Sequence, residues 1–338
     1  MNSYYGDILA QADALSNTID SLKGAAFPDE IRAGLRKGRW RKIFLTGMGS
    51  SYFTLMPLFN RLLVEGYPAW LVETSELLYS PAWQESSALV IAASQSGASG
   101  ETMHLLEKIT PEKTLIGLTN TALSPLDQGA TYSLVTQAGI ESTVSCKTYV
   151  AALAAQCWLG DQLCDGPREF PGLFDLPRQV EAYLTHTSEY IDQLTDLLVD
   201  IDQVYIVGRG VSIPTAGTGG LILKEAVHIA AEGMSSAGFR HGPIEMIRPE
   251  TFILIFAGEG ETAALNRKFY DEIKHLGARA SLVDTNDGRH VFDLPSCSPQ
   301  ALPVLEILPV QMMTLALAEL RNMPPGNFTL SSKITAVE

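Results

Sequence analysis

The chain has 338 residues, of which 46% are hydrophobic and 18% charged, so it can bury the core of two domains or of one duplicated unit, and disorder is excluded as its default state. Its formal net charge of -14 repels polyphosphate, which excludes nucleic acid and anionic membranes as general partners. Four scattered cysteines, Cys146, Cys157, Cys164 and Cys297, form no Cys-x-x-Cys pair and no His/Cys group at metal spacing, so no disulfide framework and no metal site are expected.

In chain order, a helical opening from about Tyr4 to Leu35 precedes the first strand. Met1 to Ala14 carries Asp7 and Asp13 and no basic flank, and no apolar run approaches the about 18 residues of a membrane helix. A cytoplasmic protein, neither exported nor membrane-bound, is expected. Short β-rich runs then alternate with segments of helical period: Lys42 to Thr46, Trp70 to Glu73, Leu89 to Ala93, Thr114 to Leu118 and Tyr132 to Val135. A second series follows at Gln203 to Val207, Phe252 to Phe256, Ala280 to Val283 and, less clearly, Val304 to Leu308. This alternation predicts an α/β class with doubly wound parallel sheets.

The two series resemble each other. Lys42-Ile-Phe-Leu-Thr-Gly-Met-Gly pairs with Gln203-Val-Tyr-Ile-Val-Gly-Arg-Gly, and later strands pair at an offset that stays near about 160 residues, as in a duplication with loop insertions. The expected organisation is an N-terminal helical segment at 1–36, a first subdomain at 37–165, a helical linker at 166–200 and a second subdomain at 201–338.

Ligands of such sheets sit beyond the carboxyl ends of the strands. There the run Ser94-Gln95-Ser96-Gly97-Ala98-Ser99 reads as a tight turn before a helix opening near Gly100. Its hydroxyls and the unpaired N–H groups of a helix start suit a dianionic phosphate. Ser50 and Ser51, in the turn after the first strand, complete such a cradle from a neighbouring strand. A single serine here would more often be a helix cap; the cluster favours an anion site. The corresponding turn of the second half, Gly258 to Thr262, carries acids, so only the first half is expected to hold phosphate. There is no Walker motif and no complete dinucleotide fingerprint, so neither ATP nor NAD is expected, and no cofactor is called for.

Further on, Glu225, His228 and Glu232 fall at i, i+3 and i+7 of an apolar segment and would share one helix face. If solvated they are an ordinary polar stripe; if buried they suit proton transfer. His241, before Gly242 and Pro243, is a candidate base in a rigid turn.

With these residues assembled, the chain resembles the sugar isomerase (SIS) domain family, and within it the isomerase half of glucosamine-6-phosphate synthase. The carrying residues are Gly49-Ser50-Ser51-Tyr52, Ser94-Gln95-Ser96-Gly97, Lys224-Glu225, Phe239-Arg240-His241-Gly242-Pro243 and the C-terminal Ser332 to Glu338. The resemblance implies two SIS subdomains and a phosphosugar substrate held by Ser50, Ser51, Ser94, Gln95, Ser96 and Ser99. It further implies that Glu225 moves a proton between C1 and C2. His241, donated across a homodimer, would open the sugar ring, and Lys333 would reach the C2 carbonyl and form a Schiff base, which requires a partly neutral amine. Two departures stand out: no N-terminal glutaminase with a cysteine nucleophile is expected, and Ile222 stands where the family places a lysine. The expected activity is therefore that of a deglycase of fructosamine 6-phosphates or a deaminase/isomerase of hexosamine 6-phosphates. The alternative is a phosphosugar sensor that binds without reacting.

Overall fold

The computed structural model describes residues 3–141, 143–286, 290–330 and 332–333. Three helices, Ser3–Leu9, Gln11–Lys23 and Asp29–Arg36, make up the opening. Five strands follow: β1 (Lys42–Gly47), β2 (Ala69–Glu73), β3 (Ala88–Ala93), β4 (Thr114–Thr119) and β5 (Tyr132–Val135). They form one wholly parallel sheet in the order β2-β1-β3-β4-β5. Every residue of β3 and of β4 is buried, as befits strands covered by helices on both faces.

The second sheet consists of β6 (Gln203–Gly208), β7 (Ala230–Ser235), β8 (Thr251–Phe256), β9 (Arg279–Thr285) and β10 (Asp293–Leu294), again all parallel. Its order, read from the opposite edge, is β7-β6-β8-β9-β10, strand for strand that of the first sheet. In each half the chain leaves its first strand toward one edge and returns to the other side. A switch point is thereby left between β1 and β3, and another between β6 and β8. Alternate residues of the central strands feed separate cores: Phe44, Val90 and Ala92 meet Trp83, Leu105 and Leu126 in one, while Val207, Ile253 and Ile255 meet Phe239 and Phe269 in the other.

By its internal contacts the chain divides into two compact units. One comprises residues 13–141, 146–174 and the tail from Leu330, around the first sheet; the other comprises residues 1–12, 142–145 and 175–329, around the second.

Three local expectations are corrected. Val304 to Leu308 is no strand but part of the helix Leu302–Leu320, whose period is hidden because nearly every face is apolar and buried. This helix is also a long apolar run, contrary to the expectation that none approaches membrane length: 19 residues with mean hydropathy 1.4, almost wholly buried inside the protein, the mark of a core helix. Glu225, His228 and Glu232 do not share a helix face. The helix Ile213–Val227 stops at His228, which adopts the left-handed conformation with φ 51°, and Glu232 lies in β7. β7 packs closely on the beginning of this helix: a Cβ on Gly233 would lie 1.8 Å from the Ala216 carbonyl oxygen, so only glycine lets strand and helix approach.

Candidate active site

At the switch point of the first sheet, β1 and β3 end level, with Gly47 opposite Ala93, so the turns that carry Ser50, Ser51 and Ser94 to Ser99 open side by side. A Cβ on Gly47 would lie 3.0 Å from the Ala93 carbonyl oxygen, so the two turns start in contact.

The second turn is fastened by its acceptors. The Ser94 carbonyl accepts from Gly97 N–H (3.0 Å), and the Gly97 carbonyl accepts from Leu126 N–H (3.0 Å). The Gln95 carbonyl accepts from Asn120 N–H (3.0 Å) and from the hydroxyls of Thr119 (3.2 Å) and Thr121 (3.3 Å). Gly97 sits at φ 63°, and a Cβ there would come within 2.1 Å of the Ser124 hydroxyl, so this turn admits only glycine. Among the described residues, the N–H groups of Gln95, Ser96 and Ser99 find no protein acceptor, and the Ser50, Ser51 and Ser94 hydroxyls make no hydrogen bond. A loop with these three carbonyls consumed and these donors spare has the polarity that suits an anion.

The hydroxyls are not all alike. Ser99 N-caps the helix Gly100–Glu107, accepting from Thr102 N–H at 3.4 Å and sharing a hydrogen bond with the Thr102 hydroxyl at 2.9 Å. Ser96 Oγ accepts from Ala98 N–H at 3.2 Å. Each accepts as a local turn former, yet a hydroxyl that accepts still owns a proton to give.

In the second unit the turn after β6 copies the first: Gly210 (φ 57°) stands where Gly49 (φ 53°) does, and Ser212 where Ser51 does. Here the hydroxyl is already engaged, donating to Glu306 Oε1 at 2.7 Å. Glu306 is 1% exposed, and burial pushes its carboxyl up to about 8, against the lowering effect of the hydrogen bond from Ser212; the charge of Glu259 adds to the rise. The turn after β8 passes from Phe256 to the helix start at Gly260 through three residues, against six between Ala93 and Gly100, and Glu259 replaces Ser99 as the N-cap.

Of the three catalytic candidates, Glu225 is half-buried near the end of the helix Ile213–Val227, with Ile222 wholly buried one turn earlier, and His241 is exposed in the turn after the short helix Ser236–Phe239, its N–H bonded to the Gly238 carbonyl (3.0 Å). Both belong to the unit of the second sheet. Lys333 belongs to the unit of the serines, where its Nζ donates to Glu141 Oε2 at 2.7 Å. Its side chain is 17% exposed, so the amine is largely enclosed and held by a carboxylate.

Glu141 and Asn120 were missed in the sequence. Glu141 follows β5 at the carboxyl end of the first sheet, the end that carries ligands in such folds, and an acid there was the available signal. Among the described residues, no group of three or more His, Cys, Asp or Glu side chains converges as a metal site would.

The sequence profile of the SIS domain matches residues 38–161 and 197–296, one match spanning β1 to β5 and the other β6 to β10. The chain belongs to the SIS domain family. Among similar proteins, this SIS chain is 28% identical to the glutamine–fructose-6-phosphate aminotransferase (isomerizing) of Gloeobacter violaceus, over 94% of the chain and 56% of that protein. The chain spans about half the length of the curated relatives it matches. Two solved structures share the fold: the C-terminal domain of glucosamine-fructose-6-phosphate aminotransferase from Francisella tularensis, and the tagatose-6-phosphate ketose/aldose isomerase of Escherichia coli. The first has a TM-score of 0.83 at 22% identity, covering 97% of this chain and 98% of that one. The second has a TM-score of 0.81 at 19% identity, covering 97% and 96%.

Proposed function

We propose that this SIS protein is a cytoplasmic enzyme that binds the 6-phosphate of an amino sugar or fructosamine in the Ser94 to Ser99 turn and catalyses proton transfer between C1 and C2. The turn with fastened carbonyls and spare N–H donors is the observation that carries the reading. A phosphate dianion there gains charge-assisted hydrogen bonds from groups that need no reorganisation, and it anchors the sugar so that its reacting carbons are held in one place.

In this reading Glu225 is the base that moves the proton, His241, supplied by the second subunit of a homodimer, assists ring opening, and Lys333 addresses the C2 carbonyl. The similarity to an aminotransferase and to ketose/aldose isomerase structures supports C1/C2 chemistry. Wholly buried, apolar Ile222 one turn before Glu225 favours a deglycase or a deaminase/isomerase over the full synthase reaction.

The test is to incubate the protein with fructosamine 6-phosphates and with glucosamine 6-phosphate, assaying hexose 6-phosphate and released amine. Turnover of one class assigns the reaction; turnover of neither refutes the enzymatic reading.

A further inference from the structure

We infer that Glu141 is a positioning residue that docks the C-terminal tail and aims the Lys333 amine at the phosphosugar site; the functional part of this inference rests on the role of Lys333 proposed above. The Glu141 side chain has no exposed surface, yet among the described residues its carboxylate meets five groups of three residues, Cys146, Thr148 and Lys333. Its Oε1 accepts from the N–H groups of Cys146 (2.9 Å) and Thr148 (3.1 Å), and the Cys146 thiol lies at 3.4 Å. Its Oε2 accepts from the Thr148 hydroxyl and from Lys333 Nζ.

Cys146 and Thr148 open the helix Lys147–Leu163, so the carboxylate is fixed against the positive end of a 17-residue helix. It then offers its other oxygen to a residue 192 positions further along the chain. A buried carboxylate is stable only if its lone pairs are met, and here the tail lysine completes the set.

The position of Glu141 is also registered to the phosphate turn. Asn120 donates its backbone N–H to the Gln95 carbonyl (3.0 Å), while its side-chain oxygen accepts from the Thr136 hydroxyl (2.8 Å) and Ala138 N–H (3.1 Å) and its amide donates to the Gly139 carbonyl (2.8 Å). One residue thus fastens the turn bearing Gln95 to the loop that leads into Glu141. Lys333 is tied through Glu141 and Asn120 to the place where the phosphate is bound.

The experiment uses the full chain and the variants Glu141→Gln, Lys333→Met and the pair. Glutamine keeps an acceptor for the helix N–H groups and loses the ion pair. On the turned-over 6-phosphate, Glu141→Gln is expected to lower kcat about 10- to 100-fold with KM changed by less than about threefold, and the double variant to be no worse than Lys333→Met alone. A readout independent of turnover is the acetylation rate of Lys333 by an N-hydroxysuccinimide ester, followed by peptide mass spectrometry without substrate; Glu141→Gln is expected to raise it several-fold. Wild-type kcat together with wild-type labelling in Glu141→Gln overturns the inference. A wild-type enzyme inactive on every 6-phosphate, with labelling still raised in Glu141→Gln, refutes the functional reading of Lys333 while leaving the docking role supported. Should Glu141→Gln fail to fold, Lys333→Arg probes the pair from the other end. A melting temperature kept by Lys333→Arg, which preserves the ion pair, and lowered by Lys333→Met supports the docking role; equal melting temperatures for the two variants overturn it.

Discussion

Ser212 donates its hydroxyl proton to Glu306 at 2.7 Å, so the serine that corresponds to Ser51 of the first unit has its acceptor supplied by the chain itself. Glu306 comes from the helix Leu302–Leu320, and its Oε2 is buried with no hydrogen-bond partner among the described residues. A carboxyl in that setting is favoured in its neutral form.

Stability should therefore depend on pH through this group. Its value in the fold, about 8, lies above the ordinary 4.5, so the folded state binds the extra proton between those two values. Stabilisation is fully present below about pH 4.5, is lost as pH rises toward 8, and changes no further above it; the total is on the order of a few kcal/mol. Urea unfolding of the wild type and of Glu306→Gln at pH 5, 6, 7 and 8 measures this. The wild type should lose stability more steeply across the series, and parallel curves would remove Glu306 as the cause.

The hydroxyls of the first turn are expected to separate into binders and caps. Ser94→Ala and Ser96→Ala should each raise KM for a sugar 6-phosphate by about tenfold, since a charge-assisted hydrogen bond is worth about 1.5–3 kcal/mol. Ser99→Ala should in addition cost about 1 kcal/mol of stability by removing the cap of Gly100–Glu107. Ser212→Ala should leave KM alone. Steady-state kinetics beside thermal melts distinguish these four outcomes, and equal KM effects for Ser94→Ala and Ser212→Ala would contradict the assignment of the site to the first unit.

Gly97→Ala tests the turn itself. The added methyl must displace the Ser124 hydroxyl, which caps the helix Pro125–Gly129 through Asp127 N–H, and the residue must hold φ 63°. A loss of about 1–3 kcal/mol and of phosphate-dependent stabilisation is expected. Gly139→Ala is the control: its φ is 72°, but a Cβ there meets nothing within 4 Å, so it carries the backbone strain alone. Melting curves with and without millimolar glucose 6-phosphate report both.

Glu225→Gln is expected to lower kcat by about 10²- to 10⁴-fold, the usual contribution of a general base, while a 6-phosphate still raises the melting temperature. Unchanged turnover would remove Glu225 as the base, whereas a wild type that turns over no 6-phosphate yet is stabilised by one would return the protein to the sensor reading.

Much of the architecture was written locally. The runs at β1, β3, β4, β6 and β8 are β-branched and aliphatic, buried on both sides, and flanked by glycine or serine turns, so pattern alone located them within a residue or two. β7 escaped because Ala230-Ala-Glu-Gly-Met-Ser235 has neither alternation nor β-branched residues; it is a strand because it pairs with β6 from Gln203 to Gly208 and lets a helix press against Gly233. The helix Leu302–Leu320 escaped for the opposite reason, because a segment apolar on every face has no period to detect.

The sequence by itself determined the α/β class, the duplication, and the serine turn at a strand end, because each is encoded in residues adjacent along the chain. Only the tertiary structure decided which serine has its acceptor supplied internally, and that Lys333 of the tail meets a buried Glu141 across 192 positions. A carboxylate's partner is set by what burial brings within about 3 Å of it, and no local pattern carries that distance.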